Sequence, residues 1–119
     1  MMAERPPQGA EKFLDRDVVT SDGAKLGVAS KLLKNRISEV AEWLVVESGL
    51  LGRKRYVVPL AGSELGDDIV VLAYKSDLVH AQPHAEPDDE TDTLTAEGEN
   101  ALNVHFGLGA NGGAHQATL

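Results

Sequence analysis

Residues 42–59 have the sequence EWLVVESGLLGRKRYVVP, and this stretch decides the fold class. Two apolar, β-branched runs, Trp43 to Val46 and Tyr56 to Val58, flank a loop that contains two glycines. The pattern predicts a β-hairpin whose loop is longer than a tight turn. Pro59 has no backbone N–H to donate, so it should end the second strand or lie at a sheet edge.

A shorter hairpin is predicted on the N-terminal side of this stretch. Asp17 to Thr20 is β-prone, and the Ser21-Asp22-Gly23 turn follows it, where Gly23 can adopt a positive φ without a side-chain clash. Lys25 to Lys34 is the second strand, and Gly27 within it indicates a bulge or a close approach of another backbone.

Two more strands are predicted on the C-terminal side, at Ser63 to Leu65 and at Ile69 to Tyr74. Six short strands in about 65 residues are too many for one open layer to bury in so short a chain. The expected fold class is therefore mainly β, a small six-stranded barrel with a C-terminal helix and flexible tails.

The order of these elements resembles the PRC-barrel family, which includes the cytoplasmic barrel of photosynthetic reaction-centre H subunits and the C-terminal domain of a ribosome maturation factor. The resemblance covers residues 13–80. The matching motifs are Asp22-Gly23, Leu26-Gly27-Val28, Trp43-Leu44-Val45-Val46, Arg55-Tyr56-Val57-Val58-Pro59, and Asp68-Ile69-Val70-Val71 ahead of Lys75. It implies a barrel that docks on other macromolecules and has no catalytic residues. Asp22, Gly23, Gly27 and Pro59 would be its structural positions.

Charge divides the chain near residue 75. The formal charge is −8, and it arises wholly after residue 75, where eight acids stand with no Lys or Arg. We therefore expect an N-terminal tail at 1–12, the barrel at 13–80, a flexible acidic linker with prolines at 81–93, a helical segment at 94–107 and a Gly-rich tail at 108–119. Within the helical segment, Thr95 is the predicted N-cap of a helix that extends to Phe106.

Composition excludes several classes of function. The acidic balance makes nucleic acid an unfavourable partner, and the absence of cysteine excludes thiolate chemistry and disulfides. The apolar runs are too short to span a membrane, and no secretory signal is recognisable, so a cytoplasmic protein is expected.

In the strands at 43–46 and 69–72, the side chains on both faces are apolar. This indicates that the outer wall of the barrel is covered. One interpretation is a docking surface formed by Trp43, Val45, Val70 and Leu72, which would make a homodimer. The other is that the C-terminal helix of the same chain covers this wall.

Two further clusters are candidates for binding. Arg53, Lys54 and Arg55 form a basic loop that could contact phosphate or an acidic partner, but three charges supply few phosphate contacts. His80 and His84, followed by Glu86 and Asp88, resemble a metal cluster, although Pro83 spoils the helical spacing that such a pair requires.

No catalytic, cofactor-binding or metal-ligating residues are assigned, because no serine has a nucleophile-elbow context and no Gly-rich phosphate loop is present. The expected function is a non-catalytic adaptor that binds a protein partner and self-associates. A small-molecule or metal-binding module and an RNA- or ribosome-associated factor are the alternatives.

Overall fold

The computed structural model describes residues 11–49 and 54–108, and the fold is mainly β, as predicted. A 3-10 turn at Glu11–Phe13 precedes six strands. The strands are β1 Asp17–Val19, β2 Lys25–Lys34, β3 Ala41–Ser48, β4 Lys54–Pro59, β5 Glu64–Leu65 and β6 Ile69–Val71. Two helices follow, α1 Ser76–His80 and α2 Ala96–His105. Of the tails expected at 1–12 and 108–119, residues 1–10 and 109–119 lie outside the described residues, whereas residues 11–12 belong to the 3-10 turn and Leu108 is buried.

The six strands form one mixed sheet in the order β4-β3-β2-β1-β6-β5. Neighbours pair antiparallel except β1 and β6, which run parallel. The sheet is not closed, because the end strands β4 and β5 do not pair with each other. β5 has only two residues, both exposed, so it offers little backbone for closure.

The sheet is nevertheless curved. Only four residues connect Pro59 at the end of β4 to Glu64 at the start of β5, and a chain of that length spans at most about 18 Å. The end strands of a flat six-stranded sheet lie about 24 Å apart. The connection therefore brings the two edges of the sheet towards each other.

Gly27 permits the close pairing of β2 and β3. A Cβ built at this position would lie 2.2 Å from the carbonyl oxygen of Glu47, far inside contact distance. The prediction of a close backbone approach at Gly27 is confirmed. Pro59 ends β4, which is an edge strand, as its missing donor required.

The C-terminal helix begins and ends where the sequence predicted. The Thr95 hydroxyl accepts the Gly98 N–H at 3.0 Å, which is an N-cap contact. At the other end Gly107 has a φ of +77°. The Gly107 N–H donates to the Val104 carbonyl, and the Leu108 N–H donates to the Asn103 carbonyl at 2.7 Å. These two bonds form a Schellman motif. This motif turns the buried Leu108 back towards the sheet.

Residues 81–93 were expected to be a flexible linker, but the segment lies against the sheet. The Lys31 ammonium contacts Asp89 at 2.7 Å and Asp92 at 3.0 Å. The Lys34 N–H donates to the Asp92 carbonyl, and an isolated bridge joins Asp88 to Thr93. This segment has few apolar side chains to bury, so apolar burial contributes little to its ordering. Its acidic side chains instead form charged hydrogen bonds with a lysine of β2.

Candidate functional site

The predicted docking surface is buried inside the chain. Trp43, Val45, Val70 and Leu72 are each at most 2 % exposed. They belong to one apolar cluster with Val79 of α1 and with three residues of the C-terminal region, Leu94, Leu102 and Phe106. The interpretation of these four positions as a docking surface for a second copy is therefore wrong, because the chain itself buries them. Apolar side chains of both helices belong to the same cluster, so this apolar surface is removed from water without a second molecule.

Asp22 and Gly23 have structural roles. Gly23 adopts a φ of +90° in the β1–β2 turn. The Asp22 carboxylate accepts the Ser76 N–H at 3.1 Å and the Ser76 hydroxyl at 3.0 Å, at the start of α1, and also accepts the Thr20 hydroxyl. These contacts, the Thr20 bond foremost, lower the pKa of Asp22 to about 2. The turn is thus tied to the first helix.

The basic loop is partly described. Arg53 lies outside the described residues. The Lys54 ammonium is 5.8 Å from the centroid of the Tyr56 ring, a cation–π contact. Arg55 lies 4.0 Å from Glu47 and 3.7 Å from Glu86, so its charge is already neutralised within the chain.

The histidines of the predicted metal cluster have separate partners. His80 Nδ1 hydrogen-bonds to the Tyr56 hydroxyl at 2.8 Å, whereas the exposed His84 contacts Glu86 at 3.3 Å. The Asp88 carboxylate accepts the Glu90 N–H in a local turn. Within residues 11–49 and 54–108, no three His, Asp or Glu side chains are placed to hold a metal ion.

A groove that the sequence did not predict lies where β3 begins, β4 ends and α2 packs on the sheet. We call it the Trp43 groove. Its volume is about 350 Å³, and its apolar lining consists of Ala41, Trp43, Pro59, Leu60, Ala61 and Leu108. The polar residues on it are Glu42 and Asn103. Pairing of Trp43 with Pro59 aligns the two strand ends, and the Leu60 N–H donates to the Glu42 carbonyl at 3.0 Å.

Polar atoms without partners lie at this groove. Trp43 is 1 % exposed and Asn103 is 2 % exposed. Neither Trp43 Nε1 nor Asn103 Oδ1 has a hydrogen-bond partner among the described residues. Buried polar groups nearly always have partners in folded proteins, so two such atoms at one groove require an explanation.

Glu42 is coupled to α2 by charge. Burial raises the pKa of Glu42, a hydrogen bond from the Asn35 amide opposes that rise, and the negative charge of Glu99 adds to it. Glu99 itself is paired with Arg36, whose Nε lies 3.7 Å from Glu99 Oε1. The other carboxylate oxygen, Glu99 Oε2, is buried and has no partner in the described part of the chain.

Sequence reasoning missed Asn103 and Glu99, although a signal for them was present. Glu99, Asn103 and Phe106 stand four and three residues apart on α2, the spacing of one helical face. Two polar residues on the face that carries a buried aromatic are unusual in a helix that packs on a sheet. The groove itself depends on the β4–β5 connection, which no local pattern predicts.

None of the described helices is long and apolar enough to cross a membrane. Comparison of the sequence with protein-family models and with curated proteins found no match.

Proposed function

We propose that this chain is a non-catalytic protein-interaction module that binds a segment of a partner protein in the Trp43 groove. The observation that carries the proposal is the combination of a partly apolar groove with two buried polar atoms, Trp43 Nε1 and Asn103 Oδ1, that have no hydrogen-bond partner among the described residues. A groove of this kind has a surface to desolvate and hydrogen bonds still to be made.

The two unpartnered atoms also suggest the class of partner. Trp43 Nε1 can only donate and Asn103 Oδ1 can only accept. A polypeptide segment supplies both complements, since each peptide unit contains a carbonyl acceptor and an N–H donor. A protein segment therefore fits the groove better than an apolar small molecule.

A relationship to the PRC-barrel family is part of the proposal. The motifs of the resemblance correspond in order to the β1–β2 turn, β2, β3, β4 and β6, and the curled sheet supports a barrel-like architecture. An adaptor role in the cytoplasm follows from that relationship. Self-association stays a prediction, but not through Trp43, Val45, Val70 and Leu72, which are buried.

The alternatives have less support from the described residues. A metal-binding role would use His80, which is engaged by Tyr56, and an RNA-associated role would use Arg55, which contacts two carboxylates. Among the described residues of these two clusters, no buried side-chain polar atom lacks a hydrogen-bond partner.

Differential capture from the native cell tests the proposal. The full chain, the Ala61→Phe variant, which fills the rim of the groove, and the matched Ala24→Phe variant in the distant β1–β2 turn are immobilised separately. Ala61 and Ala24 are both exposed, so both variants should fold. We expect a protein retained by wild type and Ala24→Phe and lost from Ala61→Phe.

The retained protein is then purified, and its affinity for the three chains is compared. An affinity at least tenfold weaker for Ala61→Phe alone supports the proposal. An identical set of captured proteins for all three chains, or no captured protein, contradicts it. Sedimentation of the purified chain shows whether the partner is a second copy.

A further inference from the structure

The polar end of the Trp43 groove offers hydrogen-bond acceptors without enough donors. Glu42 and Asn103 lie on the groove, and Glu99 is four residues before Asn103 on the same face of α2. All three side chains have oxygen acceptors. Glu99 does not line the groove, but its negative charge contributes to the raised pKa of Glu42, so the two carboxylates interact electrostatically.

The donors among the described residues do not satisfy these oxygens. The Asn35 amide donates to Glu42 Oε1 at 3.2 Å. Arg36 approaches only Glu99 Oε1, at 3.7 Å, which is longer than a hydrogen bond. Glu99 Oε2 and Asn103 Oδ1 remain buried without a donor among the described residues. A buried acceptor in this state destabilises the chain unless an occupant supplies the donor.

The walls of the groove select the shape of that occupant. Its apolar lining residues include Ala41, Leu60 and Ala61, which are half-buried or exposed, and Trp43 and Leu108, which are buried. A side chain with a methylene stem and a cationic head buries its stem on such walls and directs its head to the carboxylates. A bare metal ion would gain nothing from the apolar walls and would leave the Trp43 N–H unpaired.

Resting on the proposed function, we infer that the Trp43 groove binds a lysine or arginine side chain of the partner protein. Its cationic head donates hydrogen bonds to the oxygens of Glu42, Glu99 and Asn103. A backbone carbonyl beside that residue accepts the Trp43 Nε1 hydrogen.

Two properties of the chain agree with this occupant. The chain has a formal charge of −8, so a basic segment is attracted before contact. The unpartnered atoms have almost no accessible surface, so binding includes a small movement of the rim that opens them to the incoming head group. Glu42 is only half-buried, which leaves it room to turn.

A peptide series tests the inference on the full chain. The probes are acetyl-Ala-Ala-Xaa-Ala-Ala-amide peptides with lysine, arginine, norleucine or glutamate at the central position. Trp43 is the sole tryptophan, so its indole N–H resonance and its fluorescence report on the groove alone. We expect the lysine and arginine peptides to shift the indole resonance at millimolar concentration, and norleucine and glutamate peptides to shift it at least fivefold less.

Charge-neutral variants locate the head group. Glu42→Gln and Glu99→Gln are each expected to weaken binding of the lysine peptide at least threefold. Glu97→Gln, which removes the same charge from an exposed position of α2, should leave the affinity within a factor of 1.5 of wild type. The indole resonance of each variant also checks that the groove is intact.

The outcomes separate this inference from the proposed function. Equal shifts by the lysine and norleucine peptides, or equal losses in Glu42→Gln and Glu97→Gln, overturn the basic occupant while the capture experiment with Ala61→Phe still supports a groove partner. A shift by calcium or magnesium chloride that matches the lysine shift assigns an ion site and overturns it as well. No shift by any peptide also overturns it.

Discussion

The side-chain carboxamide of Gln82 pairs with both backbone groups of Val57 in β4. The Val57 N–H donates to Gln82 Oε1 at 2.9 Å, and Gln82 Nε2 donates to the Val57 carbonyl at 3.1 Å. The carboxamide thus occupies the place of a neighbouring strand on an edge that would otherwise be open to another chain. Pro59, two residues on, has no N–H to offer there.

We expect Gln82→Ala to lower the free energy of unfolding by about 1–3 kcal/mol, because two backbone groups of a buried residue lose their partners. Denaturant unfolding measures the change. The variant should also associate through the freed edge, which light scattering at increasing concentration detects. Asn100→Ala, at an exposed position of α2, is the control, and equal stability of the two variants would contradict the role assigned to Gln82.

Gly27→Ala should destabilise the chain by about 1–3 kcal/mol. The added methyl would meet the Glu47 carbonyl at 2.2 Å and Val46 Cγ1 at 3.1 Å, and a paired backbone cannot move aside without opening the β2–β3 ladder. Thermal unfolding gives the measurement. Gly98→Ala in α2, where the nearest atoms lie at 3.1 and 3.3 Å, should change stability much less.

Leu102→Ala should lower the free energy of unfolding by about 2–5 kcal/mol, since the side chain is fully buried and its removal leaves a cavity between α2 and the sheet. The control is Val104→Ala, because the Val104 side chain is 65 % exposed. This variant should change the free energy of unfolding by no more than about 0.5 kcal/mol. Equal losses measured by denaturant unfolding would mean that α2 does not pack on the sheet through this face.

Asp22→Asn should lower stability at neutral pH, because an amide cannot accept the same set of hydrogen bonds from Thr20 and Ser76. The folded pKa of Asp22, about 2, lies below the ordinary aspartate value of 3.8. Its contribution is therefore present above about pH 4 and is lost as the pH falls through the folded pKa. The melting temperatures of wild type and Asp22→Asn should converge as the pH approaches 2.

The matched control is Asp68→Asn, an exposed carboxylate in the turn before β6. The melting temperature of this variant should differ little from that of wild type at neutral pH. A constant difference between wild type and Asp22→Asn from pH 7 to pH 2 would show that the carboxylate does not hold the start of α1.

Lys31→Gln should release the acidic segment from β2. The hydrogen bond to Asp89 raises the pKa of Lys31, and the same bond lowers the pKa of Asp89, so the pair favours the charged forms of both. We expect hydrogen exchange of residues 88–93 to become several-fold faster, with a small change in global stability because both carboxylates are exposed.

For comparison, Lys25→Gln removes a lysine whose Nζ lies 3.6 Å from Asp17 on the exposed face. Exchange in residues 88–93 should not respond to it. High salt should reproduce part of the Lys31→Gln effect in the wild-type chain, since screening weakens exposed ion pairs. Unchanged exchange in Lys31→Gln would show that the segment is held by its backbone bonds alone.

The strands and the C-terminal helix were predictable because their signals are local. Apolar runs bounded by glycine mark the strands, and Thr95 and Gly107 mark the two ends of α2. The close approach at Gly27 was predictable for the same reason, since only the absence of a side chain permits it. α1 was missed, because five residues carry too weak a helical period and Asp22, far away in sequence, stabilises their start.

Local sequence determined where this chain is β, where it is helical and where its charge lies, because propensity, turn chemistry and capping act over a few residues. It could not decide which side of an apolar strand is covered, since Trp43 has the same pattern whether a second molecule or α2 packs on it. Tertiary structure decided that α2 covers it. It also decided that Glu42 and Asn103 lie at one groove, because long-range packing alone brings a strand end and a helix face together.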